Sequence, residues 1–447
     1  MTKKWQPYPT YKDSGVEWLG AIPEHWKVKK LKYLAKINLS NVDKKSNENE
    51  DTVKLCNYVD VYYNDYITKE IDFLIATASH EQKQKFALKK GDVLLTKDSE
   101  TWDDIAVPAC VANDLDNVIC GYHLAHIRPY QDRAIGEYIF RSISSTRLKE
   151  QFWVAANGVT RFGISKSSIS DALLLEPPVS EQQKIAEFLD QETGKIDKLI
   201  TKKERLIKLL KEKRTALISH AVTKGLNPDV PMKDSGVEWL GEIPEHWELR
   251  HLRRIVKKFV DYRGATPEKV SNGIPLITAR NIKNAAIDFS LSQEFIKEED
   301  YDNWMVRGFP EKGDVVVTTE APLGESAQII DTNIALAQRV ILLKAQKNKI
   351  TNEYLKYHFV STFGQGELWS KGTGSTAIGI KASHFKGTLV LVPRLEEQQK
   401  IAQFLDRETS KIDNLITKTR TSIDHLKEYR TALISAAVTG KIDVREH

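Results

Sequence analysis

Four acidic side chains, those of Asp98, Glu100, Asp103 and Asp104, lie within one seven-residue stretch. Carboxylate oxygens are the ligands that Mg²⁺ and Ca²⁺ prefer, so this stretch is the first candidate for chemistry in the sequence. The corresponding part of the second half of the chain offers only Glu320. We therefore interpret the four acids as a solvated acidic loop and keep a metal site as the alternative.

Sequence motifs that carry catalysis in other proteins are absent from the 447 residues. There is no G-x-x-x-x-G-K-[ST] phosphate-binding loop, no H-E-x-x-H zinc motif and no paired C-x-x-C motif. The segment 363–366, FGQG, has no preceding apolar strand and is interpreted as a plain loop. His25 and His246 have no Cys or carboxylate at ligand spacing, so we interpret them and the adjacent Trp26 and Trp247 as structural. The sequence predicts no catalytic residue, no metal and no cofactor on this chain, which is expected to bind rather than react.

The elements that would position a binding surface occur twice. The segment 12–26, KDSGVEWLGAIPEHW, returns at 233–247 with one residue changed. The segment 181–193, EQQKIAEFLDQET, returns at 397–409 with two residues changed. Offsets of 216 to 221 residues are far too long for a solenoid repeat, so each copy has the size of a domain. The chain therefore consists of two halves with the same plan.

The interiors of the halves, roughly 28–150 and 249–365, share little sequence. The nearly identical flanks imply that the two halves have a common function. The divergent interiors imply that the halves hold two different ligands in the same way. Short apolar runs that follow turns, at 91–96 and 313–318, predict buried strands in a mixed α/β fold. The other predicted elements are short helices over 136–149 and 351–360.

A glycine-rich turn recurs late in each half, as NGVTRFGI at 157–164 and TGSTAIGI at 373–380. Glycine permits the positive φ angles that tight turns need, so we expect each segment to join two strands. A loop that cradles phosphate with its backbone amides is the alternative.

The segment 180–225 is predicted to form one long helix. Prolines at 177–178 disfavour helix before it, and Gly225 ends it. Steps of four and three residues along it, and along its counterpart over 396–447, select an apolar stripe typical of a coiled coil. Because neither stripe can remain bare, we expect the two helices to pair with one another and to run antiparallel. The predicted interface consists of Ile185, Leu189, Ile196, Leu199, Leu206, Leu210, Leu217, Ile401, Leu405, Ile412, Leu415, Leu426, Tyr429 and Leu433.

Several of these segments match a known family. They include GISKSSISDALLLEPPVSEQQKIAEFLD at 163–190, its second version at 379–406, RTALIS at 214–219 and 430–435, and the two DSGVEWLG openings. Together they resemble the specificity subunit of type I restriction-modification systems, and the match covers the whole chain in order.

The resemblance implies an α/β fold class in which two similar α/β target recognition domains are separated and joined by two long helices. These helices form an antiparallel coiled coil with pseudo-two-fold symmetry. The implied divisions are a first recognition domain over 1–179, a first conserved helix over 180–225, a second recognition domain over 226–395 and a second conserved helix over 396–447. In that family each recognition domain reads one half of a split, asymmetric DNA site.

The partners that the resemblance implies are double-stranded DNA, two methylation subunits and motor-nuclease restriction subunits. S-adenosylmethionine, ATP and Mg would then be bound by the partner subunits, which explains why this chain carries no catalytic motif. The formal net charge of +5 permits a polyanionic partner without requiring one. No run of about 18 apolar residues and no apolar signal region is present, so we expect a cytoplasmic protein with no membrane partner.

Candidate DNA-binding residues are polar side chains on predicted strand ends and turns, where bidentate groups can reach base edges. A surface or structural role is the alternative for each. The candidates are Lys97, Ser99, Thr160 and Arg161 in the first half, and Arg280, Asn281, Thr319, Thr376 and Lys381 in the second.

Two other classes of protein compete with a DNA-recognition subunit. A nuclease or self-contained methyltransferase would need an acid-rich metal site or an Asn/Asp-Pro-Pro-aromatic motif, and the only Pro-Pro pair here is followed by Val179. A coiled-coil adaptor with no DNA role is the third class.

Overall fold

The structure is a computed structural model that describes residues 5–264, 266–374 and 378–446. It divides into two compact units. Unit 2 comprises residues 204–420, and unit 1 comprises the chain on either side of that segment. Each long helix therefore contributes one part to each unit.

Unit 1 is built on a five-stranded sheet next to a three-stranded sheet. The five strands, in spatial order, are Ala35–Leu39, Leu124–Pro129, Val93–Thr96, Pro108–Val111 and Tyr66–Ile67. The three strands are Val118–Cys120, Asp51–Cys56 and Leu74–Ala78. The α-helices outside the long helices are Tyr58–Tyr62, His80–Phe86, Gly136–Ser144, Thr146–Ala155 and Lys166–Asp171. The central strand Val93–Thr96 is buried along its whole length, which is why its sequence is a continuous apolar run rather than an alternating one.

Unit 2 repeats this plan with a four-stranded sheet. Its strands, in spatial order, are Val256–Asp261, Val340–Ala345, Val315–Thr319 and Leu323–Gln328. A three-stranded sheet consists of Phe295–Ile296, Ile274–Ile277 and Ala335–Leu336. The α-helices outside the long helices are Tyr301–Trp304, Asn352–Val360, Thr362–Ser370 and Ala382–Lys386. Val315–Thr319 is buried throughout and occupies the place that Val93–Thr96 has in unit 1.

A two-stranded pair closes the base of each unit. In unit 1, Lys27–Lys30 pairs with Leu173–Glu176, and in unit 2, Glu248–His251 pairs with Leu389–Val392. Both pairs bring the beginning and the end of the divergent interior together. Further hairpins join Tyr11–Asp13 to Ala21–Pro23 and Met232–Asp234 to Glu242–Pro244.

The repeated E-H-W segments anchor the units at the start of the long helices. The Trp26 indole donates a hydrogen bond of 3.0 Å to Glu181, whose other oxygen lies 2.7 Å from His25 Nε2. In unit 2, His246 Nε2 lies 2.8 Å from Glu397, the counterpart of Glu181. The carboxylate partners come from the helices rather than from nearby sequence. The predicted structural role of both histidines is therefore confirmed.

The two long helices extend over Val179–Lys224, 46 residues, and Leu395–Val438, 44 residues. The second helix was predicted to continue to the end of the chain, but it ends at Val438. Gly440 has a φ of +69°, and the amide of Lys441 donates to the carbonyl of Ala436. This is the left-handed glycine cap that commonly terminates helices, so the chain turns back there.

Within each unit the parts of the two helices run antiparallel. In unit 1, Arg430 of the second helix binds Asp197 of the first at 3.0 Å. In unit 2, Arg214 of the first helix binds Asp413 of the second at 3.0 Å. The two ion pairs are counterparts, because each residue of one lies 216 positions from its equivalent in the other. The predicted antiparallel coiled coil is confirmed in both units.

The predicted phase of the seam is wrong at four positions. Leu199, Leu206, Leu415 and Tyr429 are all 40 to 45% exposed. The positions one residue further on carry the contacts, and these are Ile200, Ile207, Ile416 and Arg430. The other predicted interface residues are buried or packed against buried clusters.

The error arises at Thr193 and Thr409. Both threonines are buried, and each hydroxyl donates to the carbonyl four residues earlier, at 2.6 and 2.7 Å. A satisfied threonine packs as a core residue, so the seam steps by four residues from Leu189 to Thr193. The prediction stepped by three there, and every second position beyond it is displaced by one.

Candidate nucleic-acid interface

Three segments meet beyond the end of the central strand in unit 1. The amide of Lys97 donates to the carbonyl of His123 at 3.0 Å, and the amide of Ile164 donates to the carbonyl of Lys97 at 2.9 Å. Asn157 and Gly163 exchange two backbone hydrogen bonds and close the glycine-rich turn. The turn is thus closed by a backbone bridge and lies on the strand end. It follows the helix Thr146–Ala155 and not a strand, so the prediction that it joins two strands is wrong on that side.

The same three segments meet in unit 2 through the same backbone bonds. The amide of Thr319 donates to the carbonyl of Arg339 at 2.9 Å, and the amide of Ile380 donates to the carbonyl of Thr319 at 3.0 Å. Thr373 and Gly379 exchange two backbone hydrogen bonds. The backbone frame of the site is therefore repeated.

The side chains on that frame differ between the units. The backbone amide that donates across the frame belongs to Lys97 in unit 1 and to Thr319 in unit 2. The carbonyl that accepts this hydrogen bond belongs to His123 in unit 1 and to Arg339 in unit 2. His123 Nδ1 lies 2.6 Å from Asp98, whereas Arg339 Nε lies 3.5 Å from Glu320. One frame thus presents two different sets of donors and acceptors.

Asp98 is the electrostatic centre of the unit 1 site. Burial alone would raise the pKa of its carboxyl, but hydrogen bonds from His123 and Lys97 hold that pKa below its ordinary value. The Lys97 ammonium lies 3.0 Å from this carboxylate and 4.9 Å from the centre of the Tyr122 ring. Lys97 is therefore held in place by two neighbours.

An aromatic group beside the turn completes the unit 1 site. Tyr58 and Tyr62 stack with ring centres 5.5 Å apart, and the Tyr62 hydroxyl donates to Asp104 at 2.7 Å. This hydrogen bond raises the pKa of Tyr62 to about 12. A cavity of about 440 Å³ separates the tyrosines from Thr160 and Arg161 of the turn. The prediction missed the aromatic group, although the run YVDVYYNDY at 58–66 is its signal in the sequence.

Unit 2 has a cavity of about 210 Å³ in place of the aromatic group. Arg280 and Arg339 both line it, together with Gln338 and Thr278. Arg280 is a predicted site residue, and Arg339 was missed because nothing in the sequence marks it. The cavity is rich in donors suited to guanine, whereas the unit 1 site combines acids with aromatic rings.

The structure changes the assessment of several predicted DNA-binding residues. Asn281 is buried and its amide makes four hydrogen bonds inside the domain, so it cannot read a base as predicted. Ser99 and Thr319 are also buried. Thr319 ends the buried strand Val315–Thr319, and Ser99 belongs to the short strand Asp98–Ser99, which pairs with Phe162–Gly163. Thr376 lies outside the described residues. The exposed candidates, which stay predictions, are Thr160, Arg161, Arg280 and Lys381.

The described residues lack a metal-binding cluster and a membrane-spanning helix. They contain no group of three or more His, Cys, Asp or Glu side chains placed to hold a metal ion. They also contain no helix long and apolar enough to cross a membrane. The three cysteines are buried, and none of them forms a disulfide.

The chain repeats the same frame of backbone hydrogen bonds in both units. The side chains on that frame form two different polar surfaces. Residues 23–209 and 244–425 match the family model described as the type I restriction modification DNA specificity domain, and the chain belongs to that family. The protein is therefore a type I specificity subunit and not a catalytic subunit, as predicted.

Individual relatives agree with this assignment. The MjaVIII specificity subunit of Methanocaldococcus jannaschii is 27% identical over 319 residues, which cover 69% of this chain and 70% of that protein. The EcoBI specificity subunit of Escherichia coli is 24% identical over 296 residues, 64% of this chain and 62% of that protein.

Solved structures share the fold. A chain from a study of complex assembly and conformational transition in a type I R-M system covers 94% of this chain and 99% of its own length, with a TM-score of 0.69 and 15% identity. The HsdS subunit from Thermoanaerobacter tengcongensis covers 94% of this chain and 98% of its own length, with a TM-score of 0.54 and 15% identity. The predicted fold class is confirmed.

Proposed function

We propose that each unit reads one half of a split, asymmetric DNA site, and that the chain holds two methylation subunits and motor-nuclease restriction subunits around that DNA. The observation that carries the proposal is the repeated frame with different side chains. A common backbone scaffold would place both surfaces against DNA in the same way, and the differing side chains would select different bases.

The exposed residues of each unit indicate how bases are read. Arg161 and Val159 lie near the tip of the unit 1 turn, where Val159 is 94% exposed. An arginine suits guanine, and an apolar side chain suits the methyl group of thymine. In unit 2, Arg280 and Arg339 favour guanine. Each bidentate arginine contributes about 1 to 3 kcal/mol of discrimination against the wrong base.

The reaction chemistry belongs to the partners in this proposal. The methylation subunits would bind S-adenosylmethionine and methylate adenine, and the restriction subunits would use ATP and Mg. This chain would supply the position on the DNA.

An exchange of one interior tests the proposal. Residues 31–172 are replaced by the equivalent interior of another specificity subunit, which leaves the basal pair Lys27–Lys30 and Leu173–Glu176 intact. The matched exchange in unit 2 replaces 252–388. Complexes reconstituted with the methylation subunit are incubated with genomic DNA, and methylated adenines are mapped.

Each exchange is expected to change one half of the methylated sequence and to leave the other half and the spacing intact. The chain alone is expected to transfer no methyl group. A change in both halves after one exchange contradicts reading by separate units. Methyl transfer by the chain alone contradicts the assignment of chemistry to the partners.

A further inference from the structure

An exposed tryptophan occupies the same loop in each unit. Trp18 is 37% exposed and Trp239 is 53% exposed. The loop itself is formed by other residues, since Asp13 accepts a hydrogen bond from the Gly15 amide at 2.9 Å and the counterparts in unit 2 repeat that bond. The fold of the loop explains the aspartate and the glycine, but it does not explain the tryptophan.

Trp18 forms one wall of an open groove of about 860 Å³ in unit 1. The other lining residues come from the helix Thr146–Ala155 and from the second long helix. They are Thr146, Arg147, Glu150, Lys427, Glu428, Thr431, Ala432 and Ser435.

The chain contains this lining twice. Seven of the nine positions have the same residue at the equivalent place in unit 2, and the counterparts are Trp239, Thr362, Lys211, Glu212, Thr215, Ala216 and Ser219. The two that differ are Arg147 and Glu150, which correspond to Phe363 and Gly366.

Each tryptophan contacts the corresponding helix of its unit, although the contacts differ. The Arg147 guanidinium donates to the Trp18 carbonyl at 2.7 Å. In unit 2, the ring of Trp239 lies 5.1 Å from that of Phe363, the counterpart of Arg147, and against Gly366. The amide of Thr362 also donates to the hydroxyl of Ser219 on the first long helix at 2.9 Å. The counterparts of the lining residues therefore lie on the same elements in unit 2, and we call this surface the Trp239 groove.

Packing does not explain why these residues are repeated. Lys427, Glu428, Thr431 and Ala432 are exposed, as are their counterparts in the first long helix. Exposed positions tolerate substitution, and the interiors of the two halves have diverged almost completely. Residues that are both exposed and repeated point to a shared contact, because the same partner surface would constrain both copies.

We propose that the Trp18 groove and the Trp239 groove are twin docking sites for two copies of one protein, which, if the proposed function holds, is the methylation subunit. The indole and the methyl group of Ala432 form an apolar wall, flanked by the Thr431 hydroxyl and the charges of Lys427 and Glu428. Such a groove fits a partner segment that presents one large apolar side chain among polar ones. Exposed tryptophans are common energetic centres of protein interfaces.

The test uses the full chain with the variants Trp18→Ala, Trp239→Ala and their combination. Because a tryptophan variant can weaken its own loop, Ala432→Glu and Ala216→Glu approach each groove from the helix side. Trp102→Ala and Trp369→Ala are the controls, since these tryptophans are also about half exposed, but neither Trp102 nor Trp153, the counterpart of Trp369, lines the groove. Native mass spectrometry and sedimentation measure how many purified methylation subunits bind each chain, and thermal melting checks the fold.

The wild-type chain and both controls are expected to bind two methylation subunits. Each single groove variant should bind one with unchanged affinity and the other at least about thirtyfold more weakly, and the combined variant should bind neither tightly. Two copies bound with wild-type affinity by the folded groove variants, or a single variant that weakens both copies equally, would overturn the twin sites. A wild-type chain that binds no methylation subunit would instead refute the proposed function.

Discussion

The phase of the helix seam can be tested by polar substitutions at neighbouring positions. Leu210 is 9% exposed and belongs to a cluster with Ile412 and Ile416, whereas Leu206, one turn earlier, is 40% exposed. Leu210→Asn and Leu206→Asn introduce the same neutral side chain into the same helix. Differences in helix propensity and in new ion pairs therefore cancel between the two variants.

The expected costs follow from burial. Complete burial of a leucine side chain contributes about 1.5 to 3 kcal/mol, so Leu210 loses nearly all of that and Leu206 loses a little over half. At position 210 the new amide is also removed from water without a partner, which costs about 1 to 3 kcal/mol more. We expect Leu210→Asn to destabilise the helix pair by about 2 kcal/mol more than Leu206→Asn.

Hydrogen exchange is the appropriate assay, because global unfolding of a chain with two units gives no single free energy. Backbone amides in 204–224 and 395–420 should exchange about thirtyfold faster in Leu210→Asn than in Leu206→Asn, since 1.4 kcal/mol corresponds to a factor of ten. Ile416→Asn and Leu415→Asn repeat the comparison at adjacent positions on the second helix. The phase that the sequence predicted places both Leu206 and Leu210 in the seam, and Leu415 instead of Ile416. If Leu206→Asn costs as much as Leu210→Asn and Leu415→Asn costs more than Ile416→Asn, that phase is right and our reasoning about Thr193 and Thr409 is wrong.

Three further predictions concern other parts of the chain. Burial lowers the pKa of His358 from 6.5 to about 3, so the unfolded chain takes up the proton first as pH falls. The contribution of His358 to the stability of unit 2 should be constant above about pH 6.5 and should decrease by about 1.4 kcal/mol per pH unit from there down to about pH 3. Hydrogen exchange of 352–360 should show this slope in the wild-type chain and lack it in His358→Gln. Arg161→Ala should weaken the discrimination between bases in one half-site, and Arg280→Ala should weaken it in the other, each by about 1 to 3 kcal/mol. If methylation maps show that both variants affect the same half-site, the two units do not read separately. A further variant has seven residues inserted after Lys203 and seven after Ile423, because the two ion pairs place these positions level with one another. The insertions should add about 10 Å to each helix. They should widen the unread spacer by up to about three base pairs. An active complex with an unchanged spacer would show that the helices do not set that distance.

The repeat and the long helices could be predicted because their signals are local in sequence. A 216-residue offset is visible by inspection, and helix periodicity extends over more than forty residues. The E-H-W histidines could be recognised as structural, although their carboxylate partner lies 156 residues away in the case of His25. The phase of the seam could not be predicted, because leucine or tyrosine stands directly beside the isoleucine or arginine that makes the contact. Which of the two neighbours is buried depends on Thr193 and Thr409. Both are polar residue types, but they pack as core residues.

The recognition surface was the hardest part to predict, and the reason is physical. The frame is made by backbone hydrogen bonds between segments that are distant in sequence, such as the bond from Lys97 to His123. Almost any residue type can make a backbone hydrogen bond. The sequence therefore does not identify His123 or Arg339 as members of the site. The location on strand ends stays a prediction, but two of its residues are buried. Thr319 ends a strand that is buried throughout, and Ser99 is also buried. Under the proposed function, the backbone would keep the geometry of the surface constant while the side chains on it change. This division would allow two halves with one frame to select two different sequences.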